Sequence, residues 1–508
     1  MTTEVELKFL ANRDLSADLA RQVTAYTVLS HTDRHLTNVY FDTEDRRLRS
    51  WQFGLRIRTQ DGQHEQTIKC RGQTIGGLHQ RPEYNLPLDG EWPQLASFPA
   101  EIWPQGCDLG SLQQDIRPQF RTDFRRQAWR LLLADGTEIE LAFDQGLIEA
   151  SGLQEPLCEL ELELISGDAL SLFGVARELL ALGNLRLGSI SKAQRGYRLA
   201  GLTPEPEVQR MGFVPVSETM QVVDGLFAVF GFAFNHWQYH EQLFLEQPSL
   251  AALTQLRNGV ALLQQTQQFF ADLLVQMAPR PWQDELSWLE HELQWLDEAL
   301  ALERLTAERG HYLRGLPCHD PLLLALQQRQ RQLPSLAAMQ QLCYSARYAH
   351  LLLDVNQWLF AAQNAADQLP ELARLPLRPY ARAELDQSWQ ELHQGDMQEP
   401  QLEYSAYLTL VGKLRRNLLV GVSFAALFDD ELQQGFRLPW LNILRRMEEL
   451  EQFEVLDKAA VTLSTQARLE LEEWLTAKIE PRLIELDQAR LQARDMLPYW
   501  QQSSSAEE

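Results

Sequence analysis

The sequence predicts an α+β multidomain chain, with an antiparallel β-barrel in its first 200 residues and an all-α bundle behind it. Three observations carry this prediction. Apolar and polar residues alternate with period two through most of residues 1–200. Leu202–Pro215 holds Pro204, Pro206 and Pro215 and reads as a linker. Beyond it the apolar spacing changes to three and four, as in Leu286, Leu289, Leu293, Leu296 and Leu300, which is a buried helical stripe.

In chain order, strands are expected at Val5–Phe9, Asn38–Phe41, Phe53–Thr59, Glu65–Cys70, Gln80–Leu86, Phe124–Leu133, Glu138–Phe143 and Leu157–Ile165. Asp61-Gly62, Gly76-Gly77 and Asp135-Gly136 supply turns between them. Short helices are expected at Asp14–Thr24 and Ala169–Leu182. Seven or eight antiparallel strands in this length suggest a closed or nearly closed barrel. The organisation is then 1–201 as barrel, 202–215 as linker, 216–500 as helical domain and 501–508 as a frayed tail. Helical stretches run around 219–245, 250–277, 335–364, 380–393, 403–428, 440–457 and 465–492. Pro279, Pro281, Pro317, Pro321, Pro370, Pro376, Pro400 and Pro439 punctuate them.

At 508 residues, 45% hydrophobic and 23% charged, the chain has an ordinary globular composition. No stretch approaches the roughly 20 apolar residues that span a bilayer. The opening Met1-Thr2-Thr3-Glu4 has no basic run and no apolar core, so no signal peptide is expected. Cys70, Cys107, Cys158, Cys318 and Cys343 are widely spaced, which fits a reducing cytoplasm and argues against zinc. The net charge of −24 disfavours nucleic acid and anionic membrane as partners. After residue 214 there are 23 Lys+Arg against 40 Asp+Glu, a net of −17, which leaves −7 for the barrel and linker.

Chemistry enters through the polar faces of the strands. Glu4, Glu6 and Lys8 share one face of the first strand and Val5, Leu7 and Phe9 the other. A solvated strand has this pattern too, but it recurs. Arg56 pairs with Arg58, Arg81 with Glu83, and Lys69 follows Thr67 by two. Arg126 follows Phe124, Glu138 and Glu140 lead toward Asp144, and Glu159, Glu161 and Glu163 alternate with leucines. Lys192 and Arg195 come last. Periodicity leaves open whether these faces point into the barrel or out to solvent. Pointing inward, unpaired charge is costly, so the lumen must be wet or filled by ionic ligands. Arg and Lys would neutralise phosphate oxygens, and carboxylates would hold Mg²⁺ or Mn²⁺, hard cations that favour oxygen.

Glu4-x-Glu6-x-Lys8 resembles the signature of the CYTH superfamily, the triphosphate tunnel metalloenzymes. The resemblance continues in order through Tyr40-Phe41-Asp42-Thr43, Leu55-Arg56-Ile57-Arg58, Thr67-Ile68-Lys69, Arg125–Trp129, Glu161-x-Glu163 and Ser191-Lys192-x-x-Arg195-Gly196-Tyr197. It implies an eight-stranded antiparallel tunnel with the ionic faces inside. It also implies metal-dependent hydrolysis of inorganic triphosphate. By that resemblance Glu4 and Glu6 belong to the metal and water-activating system, with Lys8 beside them. Lys8, Arg56, Arg58, Lys69, Arg81, Arg126 and Lys192 are expected triphosphate ligands, with Arg125 an alternative to Arg126. Glu161 and Glu163 are expected metal ligands, with Asp144 helping and Glu159 an alternative in the acidic pair. The cations are expected to hold the carboxylates ionised, and activity to favour alkaline pH.

The helical half resembles the CHAD domain, an all-α family associated with phosphate polymers. The basic pattern is eroded: Arg257 and Lys413-Leu414-Arg415-Arg416 are what remains. Polyphosphate is therefore a minor expected partner. His236, His240, His291, His311 and His350 lack matched ligand spacing and read as helix-face residues. Adenylate cyclisation, or hydrolysis of thiamine or nucleoside triphosphates, would suit the same fold. A non-enzymatic polyphosphate binder or docking scaffold would gain nothing from the acidic residues.

Overall fold

Period-two alternation organises the first part of the molecule into ten strands: β1 (Thr2–Ala11), β2 (Thr27–Asp42), β3 (Gly54–Gln60), β4 (Gln63–Lys69), β5 (Gln73–Ile75), β6 (Leu78–Leu88), β7 (Arg117–Leu132), β8 (Glu138–Ala150), β9 (Leu153–Ser166) and β10 (Leu185–Leu187). The structure, a computed structural model, describes residues 2–75, 77–307, 313, 315–365, 369–394 and 396–502. Gly76 of the expected Gly76-Gly77 turn, His311, and the tail from 503 on lie outside the described residues. The chain divides into two compact units. The first is Met1–Glu207 with Gln341–Ala361, and the second is Val208–Gln340 with Ala362–Glu508.

In the first unit the strands pair in the order β1-β9-β8-β7-β2-β3-β4-β6, and β6 pairs back onto β1. Eight antiparallel strands thus close into a ring. β10 extends β1 at one edge and β5 caps β6. The β3–β4 hairpin turns at Asp61-Gly62, both with positive φ, the twist that two-residue hairpins favour.

The ring is inverted relative to an ordinary barrel, with charge inside and apolar side chains outside. Leu7 and Phe9 of β1, Ile139, Leu141 and Phe143 of β8, and Leu160 and Leu162 of β9 alternate with the charged residues yet are almost wholly buried. The helix Ser171–Leu180 packs against β9 and buries Leu172, Phe173, Val175, Ala176, Leu179 and Leu180. Burying a side chain of this size contributes about 1.5–3 kcal/mol. On the β2-β3-β4-β6 side, Phe41, Leu55, Ile57 and Ile68 pack against Leu95, Phe98, Trp103, Leu112 and Ile116 of the segment before β7. The helix Ala346–Asn364 joins this unit: Arg177 pairs with Asp354, and the Phe173 and Phe360 rings lie 6.0 Å apart.

The second unit is helical. It contains Val222–Glu246, Leu250–Phe269, Gln283–Glu292, Leu296–Thr306, His319–Gln330, Leu377–His393, Tyr404–Phe424, Asp430–Ala460 and Thr465–Arg494. The leucine stripe at 286–300 divides between two helices, with buried Leu293 at the junction. Pro439 corrects the expected punctuation. It lies inside the helix Asp430–Ala460, where the packing of Phe436, Trp440 and Ile443 holds the helix through the one hydrogen bond proline cannot make. No described helix is long and apolar enough to cross a membrane.

Candidate active site

The inward faces of the ring enclose a cavity of about 480 Å³. Seven cations line it: Lys8, Arg56, Arg58, Lys69, Arg81, Arg126 and Lys192. Six carboxylates line it with them: Glu4, Glu6, Glu83, Glu140, Glu161 and Glu163. The charged faces therefore point inward, which settles what periodicity left open.

Each residue reaches the lumen for a local reason. Strand alternation delivers Glu4, Glu6 and Lys8 from β1, Arg56 and Arg58 from β3, Lys69 from β4, Arg81 and Glu83 from β6, and Arg126 from β7. Lys192 comes from a helix, Lys192–Leu199, that alternation could not reveal. Ser191 caps it, with a reciprocal Ser191–Gln194 capping box that places Lys192 in the first turn. Gly196 lets this helix seat closely on β7, since a Cβ there would lie 2.1 Å from the Phe120 ring. Asp42 anchors the same region. It is fully buried and accepts from the backbone N–H of Thr43, Leu48 and Arg49 and from the Tyr197 hydroxyl at 2.8 Å.

One wall is a dense ionic lattice. Lys192 Nζ lies 2.9 Å from Asp144, 2.9 Å from Glu159 and 2.7 Å from Glu161. Lys8 Nζ lies 3.2 Å from both Glu159 and Glu161. Arg126 grips Asp144 with two bonds of 2.7 Å and reaches Glu161 with a third. Burial alone would raise the Glu161 carboxyl, but Lys192, Lys8 and Arg126 overcome it and hold it well below the usual range. Glu159 is likewise held at about 2 against burial by Lys192, Lys8 and Arg195.

The opposite charge is in excess elsewhere. Glu6 on β1 faces Glu163 on β9, which faces Glu140 on β8, so three carboxylates form a cross-strand row. Like charges directly opposite destabilise a sheet. Burial pushes Glu163 up to about 7, with Lys69 opposing and Glu6, Glu140 and Glu83 adding to the rise. Glu4 and Glu83 share Lys69, at 2.6 and 3.2 Å. Burial pushes Glu4 up to about 8 despite Lys69, with Glu6 and Glu83 repelling it. Glu83 is held low, since Lys69 and Arg56 outweigh its burial. The expectation that the cations keep these carboxylates ionised therefore holds for Glu161 and fails for Glu4 and Glu163.

Residues 2–197 match the CYTH domain family and residues 228–418 the CHAD domain family. The chain is a CYTH–CHAD tandem protein. It is 37% identical over 204 residues to an inorganic triphosphatase of Haemophilus influenzae. That match covers 39% of this chain, and the chain spans 55% of that relative's length. Among solved structures it is similar to a proposed adenylyl cyclase from Hippeastrum with a dominant triphosphatase activity. The identity there is 18%, covering 38% of this chain and 95% of the other at a TM-score of 0.28. It is also similar to the CHAD domain of the plant Ricinus communis, at 18% identity, with 57% and 98% covered and a TM-score of 0.46.

Three expected or alternative residues of the CYTH domain are placed away from the cavity: Arg125, Asp144, and Glu159, which is fully buried against Lys8, Lys192 and Arg195. Arg125 points to the outer face, half-exposed and paired with Asp33, because it is one residue out of phase with Arg126. Asp144 is fully buried behind Arg126 and Lys192 and braces these cations, an opposite-charge pairing across β7 and β8. Glu83 and Glu140 also line the cavity, beyond the expected site residues. Their phase with Arg81 and Asp144 was the available signal. His79 also lines it; burial pushes it down to about 4, and its Nε2 lies 3.3 Å from the Gly188 carbonyl.

A hard divalent cation fits the donor set: the row of Glu6, Glu163 and Glu140, with Glu4 beside it, is all oxygen and carries charge no described cation fully offsets. Among the described residues no three acidic, histidine or cysteine side chains already converge as a metal site. In the CHAD domain Arg415 pairs with Asp297, Glu448 and Glu451, and Arg257 pairs with Asp297. Lys413 and Arg416 line a pocket of about 250 Å³ that they share with Glu384 and Glu391.

Proposed function

We propose that the CYTH domain hydrolyses inorganic triphosphate to pyrophosphate and phosphate with Mg²⁺ or Mn²⁺. The observation that carries this is the division of one closed cavity into a cation-rich wall and a carboxylate row. A polyanion alone would satisfy the first and leave the second repelling itself. A metal–triphosphate complex satisfies both.

Lys8, Arg56, Arg58, Lys69, Arg81, Arg126 and Lys192 bind the phosphoryl oxygens, arginines in forked pairs and lysines as point charges. Glu6 and Glu163, with Glu4 and Glu140, would hold the metal, and Glu161 becomes available to it once substrate takes over Lys8, Lys192 and Arg126. The bound metal supplies charge neutralisation along the phosphate chain. Glu4, gripped and oriented by Lys69 Nζ at 2.6 Å, is placed to accept the proton of the attacking water once metal and cations hold it ionised. The water oxygen bonds to the terminal phosphorus, its proton passes to a Glu4 oxygen, and the bridging P–O bond breaks. Arg126 and Lys192 offset the charge that collects on the departing pyrophosphate.

Polyphosphate binding by the CHAD domain is a weaker reading, because Glu384 and Glu391 stand beside Lys413 and Arg416. The test is ³¹P NMR of products from tripolyphosphate, ATP and thiamine triphosphate with either metal. The proposal expects tripolyphosphate to be consumed fastest, with pyrophosphate and phosphate in equal amounts. A cyclic nucleotide as the main product, or preference for an organic triphosphate, would overturn it.

A further inference from the structure

The lining cations differ in what they lean on. Lys8, Lys69, Arg126 and Lys192 each have a carboxylate within 3.2 Å, and Arg56 reaches Glu83 at 3.6 Å. Arg58 does not. Among the described residues no carboxylate lies within ion-pair distance of it, and burial, then Arg56 and Arg126, push its guanidinium down to about 10. Its Nε donates instead to Oδ1 of Asn38 at 3.1 Å. Asn38 is fully buried, and its Nδ2 donates to Thr122 Oγ1 at 2.9 Å. The three residues are register partners across β3, β2 and β7. The amide can sit only one way: an arginine Nε–H only donates, so the oxygen must face Arg58, and the Thr122 hydroxyl takes the NH₂ side.

We propose that Asn38 is a positioning residue that aims Arg58 into the tunnel while leaving its charge uncompensated, so that neutrality at position 38 sets the affinity for the triphosphate chain. This rests on the tunnel reading above. A carboxylate there would hold Arg58 equally well but would occupy its charge. The contacts that anchor Lys8, Lys69, Arg126 and Lys192 are ionic, so the neutral amide marks a place where the tunnel keeps a cation for its ligand. Thr122 serves the same end by fixing the amide.

Asn38→Asp is nearly isosteric and tests this. The expected result is a KM for tripolyphosphate raised by at least about tenfold with kcat nearly unchanged, since one added charge at hydrogen-bond range of Arg58 offsets the cation that would meet the phosphoryl group. The melting temperature should not fall, because the introduced carboxylate pairs with Arg58. Thr122→Val, which lets the amide rotate, should raise KM by a smaller factor, and it carries the test if Asn38→Asp does not fold. Calorimetric titration with tripolyphosphate without metal should rank affinity as wild type, then Thr122→Val, then Asn38→Asp. Equal affinities across the three, or a loss in kcat with KM unchanged, would overturn the proposal and leave the tunnel reading standing. No tripolyphosphate binding by the wild type would overturn both.

Discussion

Replacing Glu163 with glutamine should stabilise the metal-free protein while abolishing its turnover. Glu163 stands between Glu6 and Glu140 in the cross-strand row and is pushed up to about 7 from 4.5. At about 1.36 kcal/mol for each tenfold change in proton affinity, keeping it ionised costs on the order of 3 kcal/mol, an upper bound once relaxation and water entry are allowed. Glutamine keeps the volume and removes the charge. The gain is therefore about 1–3 kcal/mol at pH 8.5, or roughly 2–10 °C for a unit of this size, shrinks to about 1 kcal/mol or less at pH 5.5, and reaches zero only below about pH 4.5, where the carboxyl is protonated folded and unfolded alike. The assay is scanning calorimetry in chelator, following the transition that tripolyphosphate shifts, alongside phosphate release with metal. A variant less stable than wild type at pH 8.5 would show that Glu163 is held by contacts that need its charge. Retained turnover would show that the row does not serve the reaction.

Three further outcomes follow from the same geometry. Arg126→Ala should lower kcat/KM by about a hundredfold or more and cost on the order of 1–3 kcal/mol, by leaving buried Asp144 with Lys192 alone, among the described residues, as its cationic partner. Arg125→Ala, on the outer face, should change kcat/KM less than about twofold, as surface ion pairs contribute little; equal losses in the two variants would mean the β7 phase is wrong. Asp42→Ala leaves three backbone donors and the Tyr197 hydroxyl unsatisfied, so it should destabilise by about 3 kcal/mol or more in urea unfolding; a neutral result would remove its anchoring role. Glu4 and Glu163 bind protons more tightly folded than unfolded, so the stability they contribute is present below about pH 4.5 and is lost as pH rises through 7 and 8. The melting temperature in chelator should therefore fall from pH 5.5 to 8.5, and Mg²⁺ should raise it more at pH 8.5. An Mg²⁺ effect independent of pH would contradict this.

Alternation made the strands of the ring legible, and with them which side chains share a face. It could not say which face was inside, because an inverted barrel and a solvated one have the same period. The recurrence of mixed charge on every strand, ordered as in Glu4-x-Glu6-x-Lys8 through Ser191-Lys192, supplied the direction by resemblance. β5 and β10, three residues each, are too short to carry a period. Lys192 was found through its motif, but its helix was not, since Ser191 and Gln194 act through capping. Arg125 and Arg126 are adjacent, so only the register with Asp33 and Asp144 separates them. Asn38 and Thr122 are uncharged and lie far apart in sequence, and their bearing on Arg58 exists only once β3, β2 and β7 are neighbours. Pro439 shows the converse case, a local breaker overridden by tertiary packing.

The most direct test of the central claim is phosphate release from tripolyphosphate by the purified chain, with Mg²⁺, Mn²⁺ or chelator, beside a Glu4→Ala, Glu6→Ala double variant. Metal-dependent release by the wild type is expected, lost in the double variant while some tripolyphosphate binding remains on the cationic wall. No release with either metal, or equal release by the double variant, would contradict it.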